Sequence, residues 1–178
     1  MERAVLFLAD AVFGFFTALF LLRFYMQWLR VSFAGPLGHF VLSLTSWAVM
    51  PLRRVIPGLF GLDISSLLCA YLLQIGLFAV VFALMPRFAG LDPAGIALLF
   101  AWSALLGLLR LSIHVLIAAL ILQAVLSWVS PYSPLAAPAN QFTRPFLAPI
   151  RRILPPISGI DLSPLVAILL AQVVLMLL

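Results

Sequence analysis

Residues 51–67 read PLRRVIPGLFGLDISSL, and residues 149–165 read PIRRILPPISGIDLSPL. The two stretches lie 98 positions apart (149 minus 51), and most of their differences exchange one aliphatic side chain for another. Self-similarity at a fixed offset is the signature of an internal repeat. The identical pairs are Pro51/Pro149, Arg53/Arg151, Arg54/Arg152, Pro57/Pro155, Gly61/Gly159, Asp63/Asp161, Ser65/Ser163 and Leu67/Leu165.

Long apolar segments flank both copies of this motif. A transmembrane helix needs about 20 consecutive apolar residues, and the flanking segments approach or exceed that length. We therefore predict an all-α membrane protein with about four transmembrane helices and short interfacial helices. It is a tandem repeat of two helix–Arg-rich loop–helix units. The first unit is 1–93, with spans at about 4–28 and 66–85, and the second is 94–178, with spans at about 104–129 and 164–178.

The composition excludes several classes of protein. Apolar residues make up 66% of the 178 residues and charged residues 8%, whereas a soluble domain is about half apolar and about a quarter charged. Soluble enzymes, disordered chains and disulfide scaffolds do not fit, and Cys69 is the single cysteine. The sequence shows no catalytic set and no metal-ligand spacing, so we expect no enzymatic activity and no cofactor. The net charge of +5 favours anionic lipid over nucleic acid as a partner.

The distribution of arginines predicts an orientation. Segments 30–63 and 130–163 carry Arg30, Arg53, Arg54, Arg144, Arg151 and Arg152, whereas the opposite side carries Arg3 and Arg87. Arginine-rich loops face the cytoplasm. Both termini are then expected to face outward, and residues 4–22 are expected to be retained as part of the first span.

Three segments lie next to the predicted spans or extend them. Residues 94–129 are too long for one bilayer crossing, and we expect a helical extension that precedes the span at 104–129. Residues 33–50 and 138–148 place apolar side chains at helical spacing. They are predicted either as short helices in the headgroup plane or as loops that pack on the spans.

The paired arginines are the candidate binding residues. Arg53, Arg54, Arg151 and Arg152 stand between prolines, which stiffen the backbone, and guanidinium groups are planar forks suited to phosphate. Two interpretations remain open: the arginines bind anionic lipid or a protein partner, or they anchor the topology with no specific ligand. A homo-oligomer or an envelope protein complex is an additional expected partner.

The other motif residues are predicted to be structural: Pro51, Pro57, Gly61, Asp63, Ser65, Pro149, Pro155, Gly159, Asp161 and Ser163. Asp63 and Asp161 directly precede predicted helices, where a carboxylate can accept hydrogen bonds from free N–H groups. A salt bridge to the nearby arginines is the main alternative, and a proton-relay role has little support because no second acid is close in sequence. Ser163 is the predicted N-cap of the last helix, and Pro164 its first residue.

Four polar residues fall inside the predicted spans. Gln74 and Gln172 correspond at the offset of 98, and we expect them to face each other across a pseudo-twofold axis. Asp10 and Arg110 correspond at an offset of 100 (110 minus 10), and we expect an ion pair between them, with separate snorkelling as the alternative. His114 is expected to be a packing residue rather than a metal ligand.

The doubled motif resembles that of the YggT family of bacterial inner-membrane proteins. The resemblance rests on Pro-Leu-Arg-Arg-Val-Ile-Pro and Pro-Ile-Arg-Arg-Ile-Leu-Pro, each followed by Gly-x-Asp-x-Ser, and on Ser127-Trp128 at the end of the third span. It implies a multi-pass protein of the inner membrane, linked to osmotic or envelope stress tolerance, with no established enzymatic activity. Related plastid and cyanobacterial proteins are linked to cytochrome assembly.

Three functions remain open from the sequence. The first is a non-catalytic scaffold or assembly factor with a cytoplasmic Arg-Arg face. The second is an oligomeric channel or small transporter active in osmotic stress, although the spans contain few of the ionisable groups that substrate pathways need. The third is cytochrome or haem assembly, which rests on the resemblance alone.

Overall fold

A computed structural model describes residues 1–56, 62–84, 92–130, 132–154 and 161–178. These residues form six helices: α1 (Glu2–Trp28), α2 (Pro36–Val55), α3 (Ile64–Leu84), α4 (Pro93–Val129), α5 (Ala136–Ile153) and α6 (Ser163–Leu177). The all-helical class is therefore confirmed for the described ranges. The motif residues Pro57, Gly61, Pro155 and Gly159 lie outside them.

Three of these helices, α1, α3 and α4, are long and apolar enough to cross a membrane. The fourth predicted span corresponds to α6, which has 15 residues and rises only about 22 Å against a bilayer core of about 30 Å. Helix α4 is continuous over 37 residues, so the segment before 104 is helical, as expected. Its length of about 55 Å exceeds one bilayer crossing.

The two short helices extend further than predicted and contain the motif arginines. Helix α2 includes Pro51 and ends with Arg53 and Arg54 in its last turn, and α5 likewise ends with Arg151 and Arg152. A proline within a helix removes one backbone hydrogen bond. Cationic side chains in a last turn interact favourably with the helix dipole, which offsets part of that loss.

Helix α1 is central to the packing, because it contacts α2, α3 and α4. Its buried side chains Phe20 and Leu21 pack with Val49 of α2, Ala70 of α3 and Leu108 of α4. Helices α5 and α6 pack against α4, where Leu120, Leu147 and Ala167 form a smaller core. Much of the outer surface is apolar, with exposed side chains on α6 that include Leu165, Leu169, Leu170, Val173 and Met176.

Candidate functional site

The acid of the first motif, Asp63, is the centre of a buried ionic cluster. Its side chain is 1% exposed and forms ion pairs with two arginines. Arg53 donates from Nη2 to Oδ2 at 2.7 Å and from Nε to Oδ1 at 3.1 Å. Arg23 donates from Nε to Oδ2 at 3.3 Å. Two cations therefore share one carboxylate at the junction of α1, α2 and α3.

Hydroxyl groups complete this cluster. Arg23 donates from Nη1 to Thr45 Oγ1 at 2.8 Å and to Ser46 Oγ at 3.2 Å. The Ser66 hydroxyl donates to Asp63 Oδ2 at 2.7 Å. Buried charges are tolerated only when they are paired and hydrogen-bonded. The hydrogen bonds therefore fix α2 to the ends of α1 and α3.

The second motif forms the same acid–arginine contact in a more exposed setting. Arg151 Nη2 lies 2.7 Å from Asp161 Oδ2, and the two side chains are 34% and 25% exposed. Asp161 Oδ1 accepts from the backbone N–H of Ser163 at 2.9 Å. At the position corresponding to Arg23, 100 residues on, the sequence has Gln123, which is also buried. The aspartate of the second motif is thus paired with one arginine, whereas that of the first motif is paired with two.

Both alternatives for the motif aspartates hold at once. Asp63 pairs with Arg53 and also accepts weakly from the N–H of Ser66, at 3.4 Å, in the first turn of α3. Asp161 pairs with Arg151 and accepts from Ser163. The predicted N-cap at Ser163 is wrong, because α6 begins at Ser163 and its N-cap is Leu162. The carboxylate of Asp161 performs the capping in place of the serine hydroxyl.

The surroundings lower the pKa of both carboxyl groups. Burial opposes ionisation of Asp63, but hydrogen bonds from Arg53 and Ser66 and the charges of Arg53 and Arg23 outweigh it, so its pKa lies below the usual value. Burial also opposes ionisation of Asp161, and hydrogen bonds from Ser163 and Arg151 lower its pKa in the same direction. Both groups are therefore anionic at neutral pH.

The second arginine of each motif points away from these clusters. Arg54 and Arg152 are exposed, and among the described residues neither forms an ion pair or a hydrogen bond. Arg53 also contacts Gln27 Oε1, at 3.1 Å. The structure therefore divides the four predicted binding residues into two that hold the fold and two that are available to a ligand.

Arg23 is the member of the site that the sequence prediction missed. It lies near the end of a long apolar run, and its side chain is 5% exposed. The available signal was the offset of 100, which aligns Arg23 with Gln123 and so marks a charge that one copy has and the other lacks. An arginine inside an apolar helix requires a partner, and Asp63 is that partner.

The predicted contact between Gln74 and Gln172 is wrong. Gln74 is buried against Gly107 of α4, whereas Gln172 is exposed on α6. Helix α3 packs on α1 and α4, and α6 packs on α4 and α5. The two amides therefore do not face each other.

The predicted ion pair between Asp10 and Arg110 is also wrong. The two residues line one cleft, but within the described chain they form no ion pair with each other. Arg110 donates from Nη2 to the backbone oxygen of Leu178, and its own carbonyl oxygen accepts from His114 Nδ1 at 2.8 Å.

Comparison with known proteins identifies the family. The sequence matches the CCB3/YggT family over residues 3–85 and 102–178, and each range contains one motif. The chain belongs to the CCB3/YggT family. It is 38% identical over 169 residues to the uncharacterized protein YggT of Escherichia coli, covering 94% of this chain and 85% of that protein.

Two further relatives support the assignment. The chain is 36% identical over 179 residues to the uncharacterized protein PA0392 of Pseudomonas aeruginosa, covering 99% of this chain and 89% of that protein. It is 35% identical over 161 residues to an uncharacterized protein of Vibrio alginolyticus, covering 90% of this chain and 85% of that protein. No solved structure matches the chain. The names of these CCB3/YggT relatives assign no activity.

Proposed function

We propose that this CCB3/YggT protein is a non-catalytic scaffold of the bacterial inner membrane that binds anionic phospholipid through Arg54 and Arg152. Its arginine-rich side faces the cytoplasm and both termini face outward, as the arginine distribution predicts. The scaffold acts in envelope or osmotic stress tolerance, which is the role that the family resemblance implies. The division of the arginine pairs is the observation that carries the proposal.

The exposed surface of α2 supports a position in the headgroup plane. Phe40, Ser43, Trp47, Met50 and Arg54 are all exposed, and their spacings alternate between three and four residues, which places them on one face. Apolar and aromatic side chains on such a face insert between headgroups and acyl chains. Arg54 stands at the end of this face, where it can reach a lipid phosphate.

Helix α5 presents a second, more basic surface. Arg144 and Arg152 are exposed, and the exposed side chains of Phe146, Pro149 and Ile153 follow one another at spacings of three and four. Near an anionic membrane surface each arginine contributes about 1 kcal/mol of attraction. The two short helices together supply three arginines and two apolar faces for contact with lipid.

The first arginine of each pair serves a different purpose. Arg53 and Arg151 orient the ends of α2 and α5 by ion pairs to Asp63 and Asp161. An arginine held in this way keeps the adjacent arginine at a defined place on the surface. Binding of lipid and stability of the fold are therefore assigned to different residues of the same motif.

Fluorescence quenching of Trp47 tests the proposal. The chain, with Trp28, Trp102 and Trp128 changed to Phe, is reconstituted into phosphatidylcholine bilayers that contain brominated phosphatidylglycerol or brominated phosphatidylcholine. We expect stronger quenching by the anionic lipid, and a loss of about fivefold in its relative affinity in Arg54→Gln. Arg3→Gln is the matched control, because Arg3 lies near the start of α1 and outside the two short helices. Equal quenching by the two lipids in the parent protein would contradict the proposal.

A further inference from the structure

A second site lies away from the arginine motifs, in a cleft of about 450 Å³ between α1, α3 and α4. Its polar lining residues are Asp10, Gln74, Arg110 and His114, and most of the remaining wall is apolar, with Leu77 and Phe78 among its members. Asp10 lies 13 residues before Arg23 on α1, a distance of about 20 Å along the helix. The cleft is therefore separate from the ionic cluster of Asp63.

The cleft presents an acid and a base that are not neutralised by each other. Asp10, Arg110 and His114 are exposed, and Asp10 has no ion-pair or hydrogen-bond partner among the residues that the structure describes. Arg110 uses one donor on the backbone oxygen of Leu178, and a guanidinium has five. Unpaired charges on apolar helices are costly, so a ligand with one positive and one negative group would satisfy both.

His114 contributes to recognition of the positive group of the ligand. A carbonyl oxygen can only accept, so the 2.8 Å contact with the Arg110 carbonyl places the proton on Nδ1. In the neutral ring Nε2 is then an acceptor. Asp10 and His114 thus both offer acceptors, which suits a primary ammonium group with three N–H donors.

The apolar wall identifies the rest of the ligand. A small soluble zwitterion would leave much of the apolar lining without a partner, whereas an acyl chain would cover it. The three helices that line the cleft are each long and apolar enough to cross a membrane, which favours lipid as the ligand class. We propose that it binds a phospholipid whose headgroup carries a phosphate and a primary ammonium, as in phosphatidylethanolamine, with the phosphate at Arg110 and the ammonium at Asp10.

Photocrosslinking in nanodiscs tests this site with the full chain. Trace amounts of phosphatidylethanolamine or phosphatidylcholine, each with a diazirine in one acyl chain, are added to phosphatidylcholine nanodiscs, and labelled peptides are identified by mass spectrometry. Choline has no N–H donor, so we expect about tenfold more labelling of cleft peptides by phosphatidylethanolamine. Equal labelling by the two lipids in the unmodified protein would overturn the proposal without recourse to any variant.

Variants of Asp10 and Arg110 separate the contribution of the ammonium contact to lipid binding from that of the phosphate contact. Asp10→Asn should remove the preference for phosphatidylethanolamine and Asp10→Glu should retain it, whereas Arg110→Gln should lower labelling by both lipids because both carry phosphate. Arg3→Gln, on α1 outside the cleft, should change neither, and circular dichroism verifies that each variant is folded. A preference that survives Asp10→Asn overturns the site. If free phosphoethanolamine abolishes labelling at a concentration no higher than that of the labelled lipid, the lipid assignment is overturned in favour of a soluble zwitterion, because the acyl chains should add affinity that the free headgroup lacks.

Discussion

The carboxylate of Asp63 lies 2.7 Å from Nη2 of Arg53, and the aspartate is 1% exposed while the arginine is 43% exposed. The contact thus joins a fully buried acid on the α3 side to a partly exposed base at the end of α2. A second, buried arginine, Arg23, shares the same carboxylate oxygen at 3.3 Å. Among the residues that the structure describes, Asp63 is therefore the anion that compensates both cations, and its removal should affect the fold more than the removal of either cation.

Asp63→Asn should destabilise the protein by about 3–5 kcal/mol, because it leaves the buried guanidinium of Arg23 without an anion. Asp161→Asn should cost about 1 kcal/mol, because that pair is partly exposed and screened by solvent. Free energies of unfolding in mixed detergent micelles measure both. Equal losses in the two variants would show that the burial of the first cluster has no energetic consequence.

Arg23→Gln should be milder than Asp63→Asn, since it leaves the one-to-one pair of Asp63 and Arg53. This substitution also reproduces the residue that the second copy has at the corresponding position, Gln123. In a double-mutant cycle, Arg23→Gln with Asp63→Asn should cost less than the sum of the single changes. Additive losses would mean that the two side chains are not coupled.

Acid should weaken the fold through the two motif aspartates. Both pKa values are lowered in the folded protein, so their ionised forms add stability above the unfolded value of about 3.9 and lose it as the pH falls toward the folded values. The thermal midpoint should therefore fall between about pH 5 and pH 3. In Asp63→Asn the thermal midpoint should fall less steeply over that range. An unchanged slope of midpoint against pH would contradict the stabilising role of ionised Asp63.

Gly38 should tolerate no side chain. A Cβ at this position would overlap the backbone carbonyl of Phe33, which cannot move aside as a flexible side chain can. Gly38→Ala should cost at least about 2 kcal/mol of unfolding free energy, by the overpacking of a buried position. Gly35→Ala is the matched control, because nothing lies within 4 Å of its Cβ, and a similar loss in both variants would contradict the packing of α2 on its entry loop.

The sequence was sufficient for the features that depend on composition and local pattern. Runs of apolar residues predicted the helices that became α1, α3 and α4, and the doubled motif led to the family. The position of Asp63 favoured capping of the next helix or pairing with an arginine, because the start of that helix and the motif arginines are close in sequence. The structure shows that these two roles are compatible.

Contacts between distant segments were harder to predict. The offset of 98 aligns Gln74 with Gln172, but it does not determine which face of α3 or α6 meets another helix. Gln74 faces Gly107, where the missing side chain leaves room for an amide, and Gln172 faces outward. Arg23 was missed for the same reason, because its partner is 40 residues away.

The most direct test of the central claim is the gain in thermal midpoint when the protein is moved from neutral phosphatidylcholine nanodiscs to nanodiscs containing phosphatidylglycerol. A ligand that binds the folded state stabilises it. Arg54→Gln with Arg152→Gln should keep the midpoint in neutral lipid and lose most of the gain. Arg53→Gln with Arg151→Gln should have a lower midpoint in neutral lipid and retain the gain. If instead the gain is lost only with Arg53 and Arg151, or in neither double variant, the assignment of lipid binding to Arg54 and Arg152 is wrong.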